Sequence, residues 1–149
     1  MNIAIRKAKV ADCPQIMELV KELASYERAP DEVTVSMAEF VEAGFGPFPV
    51  WEAFVAEVDN LVVGISLFYI RYSTWKGRRL YLEDIIVTER MRGKGIGKAL
   101  FDETLKLCKN RGYSGMVWQV LEWNEPAINF YRKYGAAFDK EWINVSLDF

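Results

Sequence analysis

The run Arg92-Gly93-Lys94-Gly95-Ile96-Gly97-Lys98 has the residue types of an anion cradle. Three glycines let backbone approach a ligand closely. The helix predicted from Ile96 to Cys108 opens with N–H groups that have no intrahelical partner and carry partial positive charge. A pyrophosphate is the ligand such a loop suits. Two common phosphate motifs do not fit it. A P-loop needs Gly-Lys followed by Ser or Thr, but Gly97-Lys98 is followed by Ala99, and Arg92 stands where the first glycine belongs. The dinucleotide fingerprint fails in both registers, at Lys98 and at Leu100. The pattern that remains is Arg-x-x-Gly-x-Gly after an apolar strand. A turn that only packs would need one glycine there, not three.

The 149 residues contain no histidine. Ser-His-Asp and Cys-His catalysis are therefore excluded, and the commonest metal ligand is missing, so no metal is expected. Any acid or base must be Glu, Asp, Tyr, Lys or Cys. Cys13 and Cys108 are far apart in helix-like contexts and read as reduced buried thiols. An apolar fraction of 51% argues for a packed globular chain of one domain, residues 1–149. The net charge of −2 and the lack of a basic block argue against nucleic acid as a partner. No apolar run reaches membrane-spanning length, and the first residues lack a signal peptide's apolar core. A cytoplasmic location and no membrane partner are the expectations.

These residues need elements to hold them. Ile3 to Ala8 alternates and predicts a strand. Asp12 with Gln15 predicts a capping box, with Pro14 in the first turn of a helix reaching about Tyr26. Ser36 with Glu39 predicts a second cap, for a short helix stopped by Gly44. Trp51 to Val58 and Leu61 to Ile70 predict two strands around an Asp59-Asn60 hairpin turn. Arg79 to Val87 predicts a strand running into the glycine loop, and Met116 to Leu121 predicts another. Asn124 caps a short helix with Pro126 in its first turn, ending at Gly135. Trp142 to Leu147 alternates and predicts a closing strand. Strands and helices in this order predict an α/β fold, one mixed sheet with helices on both faces.

The loop, together with Tyr26-Glu27, the Gly44-Phe-Gly46 turn, Trp75, Tyr81-Leu-Glu-Asp84 and Glu122-Trp-Asn-Glu-Pro126 followed by Asn129-Phe-Tyr131, resembles the GNAT superfamily of N-acetyltransferases. The likeness extends to its diamine (spermidine/spermine) and thialysine N-acetyltransferase branch and covers nearly the whole chain. It implies the GNAT fold, acetyl-CoA as cosubstrate, a small-molecule amine as acceptor and a homodimer. It also implies that the pantetheine arm pairs with backbone of Ile85, Ile86 and Val87, and that the pyrophosphate lies on Gly93, Lys94, Gly95, Ile96, Gly97 and Lys98. The helix start Asn124-Glu125-Pro126-Ala127 would also meet the cofactor. Tyr26, Glu27, Glu83, Val117, Trp118 and Gln119 would line the amine site, and Tyr131 would be the general acid. At the C-terminus the chain departs from the family, which often has a Glu and then Gly before a final Trp. Trp142 here follows Lys140-Glu141.

Acetyl transfer to an amine asks for a base, an oxyanion donor and a leaving-group acid. A lysine-type amine is mostly protonated at neutral pH, and a nearby carboxylate can take its proton. Glu83 is the candidate base, since a Glu between Leu82 and Ile85 in a buried strand is otherwise costly. On a regular strand Tyr81, Glu83 and Ile85 share one face and Asp84 turns to the other as a structural partner. Backbone N–H groups from Ile85 to Val87 can hold the acyl oxygen. With no histidine to compete, a tyrosine near the sulfur can protonate the thiolate. Tyr131 and Tyr134 share one helix, and motif position favours Tyr131. Arg92 can pair with phosphate or hydrogen-bond the turn. Trp75 and Trp118 can flank a cationic amine. The leading expectation is acetyl transfer to a small diamine or polyamine. The alternatives are a lysine-like amino acid such as thialysine as the acceptor, or an acetyl-CoA-binding sensor without turnover.

Overall fold

The computed structural model describes residues 1–149, which form two compact units, 1–118 and 119–149. The first unit is built on five strands, β1 (Ala4–Lys7), β2 (Glu52–Val58), β3 (Leu61–Ser73), β4 (Gly77–Val87) and β5 (Met116–Val117). They lie side by side in chain order. The first three pairings are antiparallel and the last, β4 with β5, is parallel, so the sheet is mixed. Helices α1 (Cys13–Tyr26), α2 (Met37–Phe45) and α3 (Ile96–Asn110) complete this unit. The second unit contains α4 (Glu125–Arg132).

Strand alternation distributes the helices. Val55, Ile65, Leu67 and Ile86 form one apolar cluster with Cys13, Ile16 and Leu19 of α1. The intervening residues face α3. There the buried Ser66 and Thr104 hydroxyls pair at 2.6 Å, and a side chain at Gly64 would meet Leu100 at 3.0 Å. Helices therefore cover both faces, as expected. The Asp59-Asn60 turn also forms. Both residues have positive φ, 51° and 64°, as a two-residue turn matched to strand twist requires. Cys13 and Cys108 are buried free thiols.

Four expectations are corrected. Asp12 precedes α1 but does not cap it, because its carboxylate is taken by Arg6 at 2.8 and 3.0 Å and by the Lys9 N–H at 2.7 Å. Gln15 reaches instead to the Val62 N–H at 2.9 Å. Gly44 does not stop α2, which continues to Phe45 and ends at Gly46. The strand expected from Met116 to Leu121 is only Met116–Val117. The closing strand expected from Trp142 to Leu147 is absent, and Ile143, Val145 and Leu147 are exposed. An alternating pattern becomes a strand only where a sheet edge pairs with it.

Gly44 has a packing reason instead. The Trp51 indole stacks on Phe40 at 4.6 Å and donates its Nε1–H to the Phe40 carbonyl at 3.1 Å. A Cβ on Gly44 would come within 2.3 Å of that ring. Gly44→Ala would therefore overpack the junction of α2 with the sheet. We expect a loss of about 1–3 kcal/mol in chemical denaturation despite alanine's better helix propensity. An unchanged or raised midpoint would show that the indole moves aside freely.

Candidate active site

β4 departs from regular register at the position that matters most. Asp84 lies opposite Leu67 and Leu82 opposite Phe68, so Glu83 is an extra residue with no partner on β3. The bulge changes which residues share a face. Ile85 lies opposite Ser66, on the α3 side, and not with Tyr81 as a regular strand requires. Asp84 lies opposite Leu67, on the α1 side. The two consecutive carboxylates and Glu27, at the C-terminal end of α1, act on one another electrostatically.

This group carries more negative charge than it neutralises. Asp84 is raised to about 7, first by desolvation and then by the charges of Glu83 and Glu27. Glu27 is raised as well, by burial and by Glu83. Glu83 has one strong donor, the Tyr69 hydroxyl at 2.7 Å. The Tyr69 ring stacks on Tyr81 with centroids 5.3 Å apart, and the Arg71 guanidinium lies over Tyr81 at 5.6 Å. Burial and the neighbouring Glu83 hold both phenols above their usual range. Asp84, Tyr69 and Arg71 were not singled out by sequence reasoning as parts of the site. The bulge that brings Asp84 round has no sequence signal, and Tyr69 reads as one more apolar position in a buried strand.

The glycine loop forms beside this group. Gly93 and Gly95 have φ of 76° and 81°, and a Cβ at either would meet no protein atom within 4 Å. Gly95 is the N-cap of α3 and offers no side-chain cap. The first helical bond runs from Ala99 to the Gly95 carbonyl, so the N–H groups of Ile96, Gly97 and Lys98 lie N-terminal to the helical ladder. The open space beside Gly93 and Gly95 and these N–H groups fit a pyrophosphate. The Arg92 side chain is spent on the loop itself, donating to the Val87 carbonyl at 2.9 Å and to Glu22 at 3.3 Å. It also lies over the Tyr26 ring at 5.3 Å. Lys98 pairs with Asp102.

β4 also presents an open edge. It pairs with β5 only at Leu80 and Tyr81, although it continues to Val87. Thr88 donates to the Val63 carbonyl at 2.8 Å. By antiparallel alternation Ile86 then faces β3, while Ile85 and Val87 turn their N–H groups to the open side. Val117 ends β5, and Trp118 meets Phe101 edge-on at 5.4 Å. Trp75, in the β3–β4 turn, is 85% exposed.

In the second unit the Asn124 side chain caps α4 at the Ala127 N–H, 3.4 Å away, with Pro126 in the first turn. Gln119 donates to Asn144 at 2.9 Å. Tyr131 is buried on α4 and meets Phe130 edge-on, and Phe130 also contacts Tyr134. No group of three or more acidic, Cys or His side chains is placed to hold a metal ion. A cleft lined by Gln15, Glu18, Glu22, Thr88 and Arg90 among others contains none of Glu27, Glu83 and Asp84.

The model of the acetyltransferase (GNAT) family matches residues 13–136. The chain belongs to that family. It is 39% identical over 142 residues to thialysine N-epsilon-acetyltransferase of Bos taurus, covering 90% of this chain and 84% of that protein. It is 35% identical over 139 residues to spermidine/spermine N(1)-acetyltransferase-like protein 1 of Homo sapiens, covering 89% of this chain and 20% of that protein. The crystal structure of a possible acetyltransferase from Clostridium difficile 630 shares the fold, with a TM-score of 0.80, 22% identity and full coverage of both chains. This GNAT protein is an N-acetyltransferase, acting on an amine, and acetyl-CoA is the family's cosubstrate. None of its helices is long and apolar enough to cross a membrane.

The raised Asp84 makes the stability of this acetyltransferase depend on pH. Its folded value, about 7, lies above that of an unfolded aspartate. Well below pH 3.8 both states hold the proton and Asp84 costs nothing. As pH rises to about 7 the unfolded chain releases its proton first, and the cost grows to its full value. Asp84→Asn should therefore stabilise the protein by roughly 2–4 kcal/mol at pH 8 and by only about 0.5 kcal/mol at pH 4. Chemical denaturation at the two pH values reads this directly. Equal gains at both would remove the charge argument.

Proposed function

We propose that this acetyltransferase transfers an acetyl group to a primary amine of a small diamine or polyamine by direct attack of the amine on acetyl-CoA. The observation that carries the reading is the excess negative charge of Glu27, Glu83 and Asp84 beside the open edge of β4. A cationic amine neutralises that charge on arrival. The relatives named for thialysine and for spermidine/spermine support a flexible aliphatic amine.

Acetyl-CoA supplies an activated acyl group as its thioester. Backbone of Gly93 to Lys98 receives the pyrophosphate, with Asn124 to Ala127 as a second contact. Backbone of Ile85 and Val87 pairs with the pantetheine arm and donates to the acyl oxygen as negative charge develops there. Tyr26, Glu27, Val117, Trp118 and Gln119 line the amine site. Glu83, held by the Tyr69 hydroxyl, accepts the amine's proton directly or through one water. Tyr131 gives its phenolic proton to the departing thiolate. The enzyme acts as a homodimer in the cytoplasm.

Two variants test the assignments. Glu83→Gln preserves shape and removes basicity. Its rate defect should shrink as pH approaches the amine's own pKa, near 10.4 for a lysine-type amine, because free amine then needs no base. A defect constant across that range would point to packing. Tyr131→Phe removes one hydroxyl and should lower turnover by about 10²–10⁴-fold with little change in acetyl-CoA affinity. Normal turnover by Tyr131→Phe alongside a dead Tyr134→Phe would move the acid to the other tyrosine.

A further inference from the structure

The glycine loop is the part of the site least able to hold its own shape. Glycine stands at positions 93, 95 and 97, and Gly93 and Gly95 sit at positive φ. What fixes the loop must reach it from outside, and one carboxylate does so. Glu22 belongs to α1, whose Cys13, Ile16 and Leu19 are anchored in the core. Its Oε1 accepts from the Thr88 hydroxyl at 2.8 Å. Its Oε2 accepts from the Glu89 N–H at 3.1 Å and from Arg92 Nη2 at 3.3 Å. Thr88, Glu89 and Arg92 lie on the stretch that carries the chain from β4 into the glycines. The Arg92 guanidinium also lies over Tyr26, four residues after Glu22 on α1, so one face of the helix holds it twice.

Simple electrostatics would not put a carboxylate there. A negative charge beside an anion-binding loop repels a pyrophosphate, and this one also occupies the neighbouring arginine. Charge alone would make Glu22 weaken cosubstrate binding, whereas its three contacts would strengthen it. The Glu22 side chain is 34% exposed, so water and salt screen its field, while hydrogen bonds at contact distance are spared.

We infer that Glu22 is a positioning residue for the cosubstrate, holding the chain from Thr88 to Arg92 against α1 and thereby keeping the glycine loop in the shape that receives a pyrophosphate. This rests on the reading that the pyrophosphate lies on Gly93 to Lys98. A loop that is competent only part of the time binds with its affinity reduced by that fraction, and Glu22 keeps the fraction high. The pantetheine arm is served by β4, which pairing with β3 holds in register as far as Val87 independently of Glu22.

The experiment measures dissociation constants on the full chain for two ligands. Acetyl-CoA is titrated by calorimetry, and S-acetylpantetheine, which lacks the pyrophosphate, is followed by ligand-observed NMR. Glu22→Ala should weaken acetyl-CoA about ten-fold and S-acetylpantetheine by no more than about two-fold. Glu22→Gln keeps an acceptor oxygen without the charge and should fall between the parent and Glu22→Ala for acetyl-CoA.

Three results overturn the inference. Tighter acetyl-CoA binding by either variant shows that the charge of Glu22 outweighs its contacts. Unchanged acetyl-CoA binding by Glu22→Ala shows that the loop holds itself. Equal losses for both ligands show a general structural role. Gly95→Ala separates these from a failure of the underlying reading, because it puts a methyl group into the open space beside the loop. If Gly95→Ala binds acetyl-CoA as the parent does, the pyrophosphate lies elsewhere and both readings fall. If Gly95→Ala weakens acetyl-CoA and Glu22→Ala does not, the loop stands as the pyrophosphate site and only the role of Glu22 falls.

Discussion

The extra residue in β4 is the constraint on which the site depends. Without it, Glu83 and Asp84 would leave opposite faces of the strand, and only one could meet Glu27. With it, two consecutive carboxylates join a third from the end of α1. The same irregularity sets the phase of the rest of the strand. It turns Ile86 into the α1-side core and Ile85 toward α3, and it decides which N–H groups reach the open edge. A local ladder defect thus defines the acidic face and the donors beside it together.

Charge is distributed unevenly around this constraint. Elsewhere in the sheet unit, three arginines are spent on the protein's own carboxylates. Arg6 holds Asp12 and Glu57, and Arg111 holds Glu52 at 2.7 and 2.8 Å, tying the end of α3 to β2. Arg92 is consumed by Glu22 and the Val87 carbonyl, which fixes the loop's entry. These contacts position backbone and leave the N–H groups at the start of α3 as the loop's positive element. Glu27, Glu83 and Asp84 are left uncompensated.

Much of this was legible in the residues because the signals were local. The glycine loop, the Asp59-Asn60 turn and the Ser36 and Asn124 caps each depend on a few neighbouring residues, and each formed. Expectations failed where a distant partner decided. Asp12 suited a cap until Arg6, from a neighbouring strand, took its carboxylate. Gly44 looked like a helix stop, but the constraint is the Trp51 ring. The alternation from Trp142 to Leu147 predicted a strand, and a strand needs an edge that no pattern supplies by itself. The bulge was invisible because register is a property of two strands, and Leu-Glu-Asp-Ile alternates acceptably on its own.

The Ser66–Thr104 contact has a consequence on a different timescale. Both residues are fully buried, and Thr104 also donates to the Leu100 carbonyl at 2.8 Å. Losing the Thr104 hydroxyl alone strands Ser66 in an apolar layer, at a cost of about 1–3 kcal/mol, and losing the Ser66 hydroxyl alone leaves Thr104 with its Leu100 bond but no donor of its own to accept from. Losing both for apolar groups of similar shape can be nearly neutral. Positions 38 residues apart are therefore bound into a shared evolutionary history. Across descendants of this chain they should change together or not at all, with few lineages surviving in the intermediate state.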